Sequence, residues 1–208
     1  MLRGWPIGPT PPSIVMWRVA SIRQIGAGRW MERRGDWSKP LKGHAFVNVR
    51  LRECLTRSSD YASLIEPTAL LVEQIDLLRH SVAKVQQAHP FAIHAWVVLP
   101  DHLHCILSLP EGDTDFPLRW RLIKSHFSRA LPVNERRSHT RLRHGERGIW
   151  QRHYWEHLIR DEQDYRRHMD YVHINPLKHG HVTRVADWPY STFHRYVTSG
   201  VYPPDWCG

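Results

Sequence analysis

Two histidines separated by one residue, His102 and His104, are the first candidates for chemistry in this sequence. They begin an apolar run that predicts a β-strand, and side chains two apart on a strand point to the same face. Two imidazoles on one face can hold a divalent metal ion. The same spacing recurs at His179 and His181, beside a glycine, and the chain contains 16 histidines. The spacing alone therefore also fits ordinary surface or core histidines.

Tyr171 and Asn175 lie four residues apart in a predicted helix, so their side chains share a face. A tyrosine hydroxyl can attack a phosphodiester and form a covalent phosphotyrosine. Its usual pKa is about 10, so the reaction requires a metal, a base or cationic surroundings. Asn175 offers an amide oxygen to the same metal. The alternative is that Tyr171 is a core aromatic residue and Asn175 ends the helix.

Basic residues outnumber acidic ones, with 29 Lys and Arg against 20 Asp and Glu and a formal net charge of +9. This excess favours a polyanionic partner such as nucleic acid. The basic residues concentrate on a predicted helix at 116–131 and in a predicted loop at 132–148. As candidate contacts to DNA phosphates we select Arg119, Arg121, Lys124, Arg137, Arg141 and Arg143. The alternative is a solvated basic surface. Trp150, Tyr154 and Trp155 can either stack on bases or belong to the core.

Several classes of protein are disfavoured by composition. The cysteines Cys54, Cys105 and Cys207 are far apart, which argues against a zinc ribbon and a disulfide framework and favours a reducing cytoplasm. No stretch approaches the roughly 18 apolar residues of a membrane span, so we expect no membrane partner. Residues 1–42 form a leader that is rich in proline and has no acidic residue before Glu32. Its composition favours a true start at Met31 over a disordered segment.

The remaining chain, residues 43–208, predicts one domain with a C-terminal extension. Alternating or continuous apolar residues predict strands at 44–51, 91–99, 102–109 and 149–159. Apolar residues at spacings of three and four predict helices at 66–88 and 116–131, and a third helix begins after Asp161 and ends near Asn175, before Pro176. This order predicts an α+β fold, a ferredoxin-like (RRM-like) sandwich whose antiparallel sheet carries its helices on one face.

Longer motifs resemble the REP-associated tyrosine transposases, within the HUH single-tyrosine insertion-sequence transposases, in which HUH denotes two histidines around a hydrophobic residue. The resemblance runs from about residue 43 to the end. It rests on AWVVLPDHLHC (95–105), LPEGD (109–113), RWRLIK (119–124), IWQR (149–152), WEH (155–157), DYVHINP (170–176) and DWPYSTFH (187–194). The segments ERR (32–34) and KGH (42–44) depart from the Tyr-Arg-Arg and Gly-Gly-Thr segments of the family, which leaves the DNA sequence preference open.

The resemblance implies a function and roles for these residues. His102 and His104 would hold Mg²⁺ or Mn²⁺, and Asn175 would complete the metal site. Tyr171 would attack single-stranded DNA beside a repeat hairpin, keep the 5′ phosphate and leave a 3′ hydroxyl. We expect a cytoplasmic monomer or homodimer that acts on single-stranded or hairpin DNA.

Three other functions fit parts of the same pattern. A domesticated DNA-binding protein of this fold would bind without cutting, although it would have no use for His102, His104 and Tyr171. An RNA-binding module of the RRM type would carry aromatic residues where the central strand has histidines. A zinc hydrolase would have no use for Tyr171.

Overall fold

A four-stranded antiparallel sheet organises the computed structural model, which describes residues 43–51, 69–133 and 139–208. The strands are β1 (His44–Arg50), β2 (Ala92–Val98), β3 (His102–Ser108) and β4 (Trp155–Leu158). The helices are α1 (Leu70–Glu73), α2 (Ile75–Ala88), α3 (Phe116–Ala130), α4 (His139–Arg143), α5 (Glu162–Lys178) and α6 (Phe193–Thr198), with a 3-10 turn at Val185–Asp187. The predicted leader, residues 1–42, lies outside the described residues.

The strand order is β2-β3-β1-β4, so β1 and β3 are central. β2 and β3 form the predicted hairpin, closed where the Leu99 amide donates to the His102 carbonyl at 2.8 Å. β1 pairs with β3 from His44 opposite Ser108 to Arg50 opposite His102. β4 adds to the outer side of β1 and is shorter than the predicted strand at 149–159. His102, the first histidine of the pair, therefore lies at one end of β3, a central strand whose residues are all buried.

Both faces of the sheet are covered. One face packs against α2 and α3, which contribute residues such as Val82 and Ile123 to the larger core cluster. The other face, which carries Phe46 and Ile106, packs against Val172 of α5. The α+β sandwich is as predicted, but the expectation of helices on one face is corrected. The physical reason is that every residue of β3 is buried, and a central strand that is apolar on both faces needs a cover on each.

The ends of α5 show one correct and one wrong prediction. Asp161 caps the helix as predicted, with its carboxylate accepting from the Asp164 amide at 2.8 Å. The helix does not stop before Pro176 but continues to Lys178. A proline in the last turn removes one helical hydrogen bond without breaking the rest, because the turn still closes through the His179 amide and the Asn175 carbonyl at 2.9 Å.

The C-terminal extension fixes α5 against the sheet. Phe193 and Tyr202 form a small core with Leu177 of α5. The Trp96 amide of β2 donates to Thr192 Oγ1 at 2.9 Å, and the Trp188 indole donates to the Val98 carbonyl at 2.9 Å. The extension therefore ties the helix that carries Tyr171 to the strand beside the two histidines. None of the helices in the described ranges is long and apolar enough to span a membrane.

Candidate active site

The two histidines of β3 lie side by side beneath α5. His102 and His104 are each 2 % exposed, and their ring centroids are 5.0 Å apart. Both point to the face covered by α5, since His104 stacks on Phe46 at 5.7 Å. The prediction that the pair shares one face of a strand is confirmed.

The neighbour of His102 fixes the direction of its ring. His102 Nδ1 lies 2.6 Å from Asp101 Oδ1, and this hydrogen bond holds the pKa of the Asp101 carboxyl below its usual range. Because an ionised carboxylate only accepts, Nδ1 carries the proton of this hydrogen bond, and Nε2 is the nitrogen that can present a lone pair to a ligand. That Nε2 is buried with no hydrogen-bond partner among the described residues. A carboxylate behind an imidazole in this way is a common support for a metal ligand.

His104 is neutral and has no hydrogen-bond partner on either ring nitrogen among the described residues. Burial, reinforced by the charges of His102 and His179, lowers its pKa to about 3. Both ring nitrogens are buried without a hydrogen-bond partner in the described part of the chain. Buried polar atoms of this kind are costly, so a ligand that they serve is the natural explanation. A neutral imidazole is also the form that binds metals.

A third imidazole approaches from the end of α5. The ring of His179 lies 5.0 Å from that of His102, and ligand atoms of His102, His104 and His179 lie within 4.8 Å of one another. Burial, followed by the charge of His102, lowers the pKa of His179. In the sequence alone, His179 stands out only as part of a second spaced pair. The signal that could have placed it near the site is the four-residue interval that relates it to Asn175 and Asn175 to Tyr171.

Asn175 occupies the next turn of the same face. It is fully buried, and its Nδ2 donates to the Tyr171 carbonyl. Its Oδ1 is buried without a hydrogen-bond partner among the described residues. An oxygen ligand is therefore still available at the position that the sequence suggested.

Tyr171 stands at the open side of the histidines. Its ring centroid is 5.4 Å from that of His104, and its side chain is one of the more exposed aromatic groups, at 37 %. Lys178 Nζ lies 5.0 Å from the centre of the Tyr171 ring. A hydroxyl-bearing ring, a positive charge and convergent imidazoles are thus combined in one place with a solvent-exposed side.

Comparisons with known proteins assign the chain to a family. No protein-family model matches the chain. A REP-associated tyrosine transposase of Escherichia coli is 52 % identical over 139 residues, which are 67 % of this chain and 76 % of that protein. The chain belongs to the REP-associated tyrosine transposase family. A Haemophilus influenzae protein assigned to the same family is 44 % identical, over 66 % of this chain and 79 % of its own length.

A solved structure of the family also matches. It is described as a REP-associated tyrosine transposase bound to a REP hairpin, and it is 45 % identical with a TM-score of 0.65. The match covers 86 % of this chain and 92 % of that one. The family resemblance that the motifs indicated is confirmed, and so is the α+β fold.

In this member of the family the predicted basic track is only partly accessible. Arg119 is 3 % exposed and is paired with Asp113 Oδ2 at 2.5 Å, so it serves the fold and does not fit a phosphate contact. Lys124 donates to the Gln151 carbonyl at 3.1 Å, and burial lowers its pKa to about 8. Arg121 is exposed on the same helix, α3, which covers the face of the sheet opposite Tyr171.

The predicted arginine loop is partly helical. Arg141 and Arg143 belong to α4, where Arg143 is exposed and Arg141 is half-buried, whereas Arg137 lies outside the described residues. Both described arginines therefore stay candidates for contacts to DNA at a distance from the histidines.

Arg50 is a cation close to the histidines that the sequence analysis did not select. It lies opposite His102 in the β1–β3 register and lines a cavity of about 450 Å³ together with Asp101, His102 and His179. Its charge contributes to the lowered pKa values of Asp101, His104 and His179. In the described ranges no carboxylate lies within ion-pair distance of Arg50. The register of β1 against β3, which brings Arg50 here, is not visible in the sequence.

Proposed function

We propose that this transposase nicks and rejoins single-stranded DNA, with Tyr171 as the nucleophile. The observation that carries the proposal is the 5.4 Å separation of the Tyr171 and His104 rings beside unsatisfied buried imidazoles. Tyr171 Oη attacks the phosphorus, and the bond from phosphorus to the 3′ oxygen breaks. The phenol proton passes to solvent, the departing 3′ oxygen takes a proton from solvent, and the 5′ phosphate stays on Tyr171. The phosphoester bond is conserved, so rejoining by a 3′ hydroxyl needs no external energy source.

The donor atoms fit a divalent metal ion. Ligand atoms of His102, His104 and His179 lie within 4.8 Å of one another. The buried, unsatisfied Asn175 Oδ1 is the oxygen that we propose as a further ligand. Mg²⁺ favours oxygen ligands, whereas Mn²⁺ accepts imidazoles as well, so of the two ions expected for the family Mn²⁺ suits this set better. A divalent ion held there would polarise the scissile phosphate and neutralise part of its charge.

The cationic residues near Tyr171 suit a phosphate. Arg50 opens onto the cavity beside His102, and Lys178 lies over the Tyr171 ring. Since one solved relative is described as bound to a REP hairpin, we propose a DNA hairpin with a single-stranded flank as the substrate, met in the cytoplasm. The hairpin would supply shape and phosphate contacts, and the flank would supply the phosphate that Tyr171 attacks.

The test is a covalent-adduct assay on the full chain. Hairpin oligonucleotides with single-stranded flanks are incubated with Mn²⁺, and an SDS-stable protein–DNA adduct is expected. Tyr171→Phe is expected to bind DNA but form no adduct, and EDTA should abolish the adduct. Tyr154→Phe is the matched control, because burial raises the pKa of Tyr154 above the usual range and its ring packs on the opposite core. Binding without any adduct in the native protein would identify a non-cutting DNA-binding protein instead.

A further inference from the structure

Three aromatic residues follow the arginine-rich segment, and only one of them is exposed. Trp150 and Tyr154 pack against the larger core cluster, and the Trp150 indole donates to Ser128 Oγ at 3.0 Å. Trp155, on β4, is 54 % exposed. Single exposed aromatic residues need no special explanation, so its position has to decide whether it has a role.

Trp155 lies in the same row of the sheet as a histidine of the candidate metal site. Asn48 of β1 is opposite Trp155 on one side and opposite His104 on the other. On the same face, the ring of Phe46 lies 5.4 Å from that of Trp155 and 5.8 Å from that of Tyr171. One phenylalanine ring therefore separates the exposed indole from the proposed nucleophile.

The indole is held in a fixed orientation relative to α5. Its plane lies within 6° of the His157 ring at 5.8 Å, and His157 stacks on His168 of α5 at 4.7 Å and 17°. Both imidazoles bond to the buried Asp164: His157 Nε2 lies 2.8 Å from its carboxylate Oδ2, and His168 Nδ1 lies 2.8 Å from its backbone carbonyl oxygen. We call Trp155, His157 and His168 the ring platform. Its base is part of the helix that bears Tyr171.

Two arginines lie close to the base of this platform. Arg160 Nε lies 3.7 Å from Asp164 Oδ2 and Arg167 Nη2 lies 4.0 Å from its other oxygen, and both side chains are mostly exposed. Two exposed guanidinium groups therefore lie at the Asp164 base of the platform. Non-specific single-strand binding surfaces combine cations with exposed aromatic rings, because cations follow the backbone and aromatic rings stack on bases.

We propose that Trp155 stacks against an unpaired base next to the phosphate that Tyr171 attacks. The ring platform thereby holds the single-stranded flank in register with the nucleophile. The inference rests on the proposed function for the position of the scissile phosphate, while the stacking itself is a binding property. A second copy of the chain is the other partner that an exposed edge strand can take, and it is treated below as an outcome of the test.

The experiment measures DNA binding in the Tyr171→Phe background, where no cleavage interferes. A hairpin oligonucleotide with a single-stranded flank is compared with the hairpin alone, and 2-aminopurine at successive flank positions reports stacking by fluorescence quenching. Trp155→Ala is expected to weaken binding of the flanked hairpin about 5- to 150-fold, the equivalent of about 1–3 kcal/mol per stacked base. Trp155→Phe should keep most of the affinity. Neither variant should change binding of the hairpin alone.

Leu158→Ala is the matched control. Leu158 is on the same strand and is similarly exposed, at 59 %, but it lies opposite Ala45 and so faces the other side of the sheet. Its substitution should leave binding and quenching unchanged. An abasic site at the most strongly quenched position should remove the difference between native protein and Trp155→Ala.

Two results would overturn the proposal. One is equal affinity of Trp155→Ala and its parent for the flanked hairpin. The other is a shift in oligomeric state by light scattering without any loss of quenching, which would assign this surface to contacts between copies of the chain. Failure of the nuclease proposal looks different, because native protein would then form no adduct while the Trp155-dependent binding persisted.

Discussion

The imidazole of His179 lies 5.0 Å from that of His102, although one residue directly follows α5 and the other begins β3. We expect His179→Ala to weaken Mn²⁺ binding by at least about tenfold, since removing even an outer-shell partner costs about 10- to 100-fold. Titration calorimetry with Mn²⁺ measures this directly, without DNA.

His153→Ala is the control for that prediction. His153 is exposed and is not one of the three convergent histidines. Its substitution should leave Mn²⁺ affinity unchanged. If His179→Ala binds Mn²⁺ as tightly as the native protein does, Asn175 is the third ligand. In that case Asn175→Ala should lower the Mn²⁺ affinity.

A second prediction concerns acid stability and His94. Burial, with the charges of His44 and Arg195 in addition, lowers the pKa of His94 to about 3 in the folded protein. Below pH about 6.5 the unfolded chain binds a proton at this residue, whereas the folded chain does not. Protonation therefore favours the unfolded state, and the resulting loss of stability is absent above that pH. The free energy of unfolding should therefore fall as the pH decreases from about 6.5 towards 3, by up to about 1.4 kcal/mol per pH unit from this residue.

Urea denaturation at pH 4, 5, 6 and 7 measures that slope. His94→Gln keeps a side-chain group for the 2.7 Å hydrogen bond with Ser108 Oγ but cannot titrate. Its unfolding free energy should depend less steeply on pH than that of the native protein, whatever its absolute stability. Parallel slopes for the two proteins would show that His94 titrates normally.

Local periodicity explains which parts of the site the sequence could predict. Residues two apart on a strand share a face, so the sequence predicts that His102 and His104 lie together. Residues four apart on a helix also share a face, so it predicts the same for Tyr171 and Asn175. Each of these relations lies within one element. The strands themselves were recognisable because apolar runs bounded by turn residues predict them directly.

The missing parts depend on how separate elements meet. His179 approaches His102 only because α5 crosses β3, and Arg50 faces the cavity only through the β1–β3 register. Arg119 was assigned to DNA from its charge alone. Arg119 can be buried because it pairs with Asp113, six residues earlier. The sequence pattern does not distinguish this aspartate from one that is exposed to solvent.

A third prediction tests the arginine-rich segment. Neutralising Arg137, Arg141 and Arg143 to glutamine should flatten the slope of log affinity against log salt by about 2 to 3, at roughly 0.7 to 0.9 per phosphate contact. The measurement is hairpin binding over a salt series. Adduct formation on saturating DNA should hardly change, because α4 is not among the elements that surround the histidines. An unchanged slope would mean that these charges only solvate the surface.

The last prediction concerns Arg50 and separates catalysis from metal binding. The guanidinium opens onto the cavity that His102 and His179 also line, where an attacked phosphate would carry its developing charge. Removal of one such donor typically slows a reaction by about 10²- to 10³-fold, so Arg50→Gln should slow adduct formation at saturating DNA by about that factor. Arg50→Lys, which keeps the charge but loses the planar fork, should recover part of the rate.

Mn²⁺ affinity should stay the same or rise in Arg50→Gln, because a cation near the metal ligands repels the ion. A purely structural role would lower both properties together, and an unchanged rate in Arg50→Gln would exclude contact with the phosphate. Rapid-quench adduct kinetics and Mn²⁺ calorimetry on the same protein preparations distinguish these outcomes.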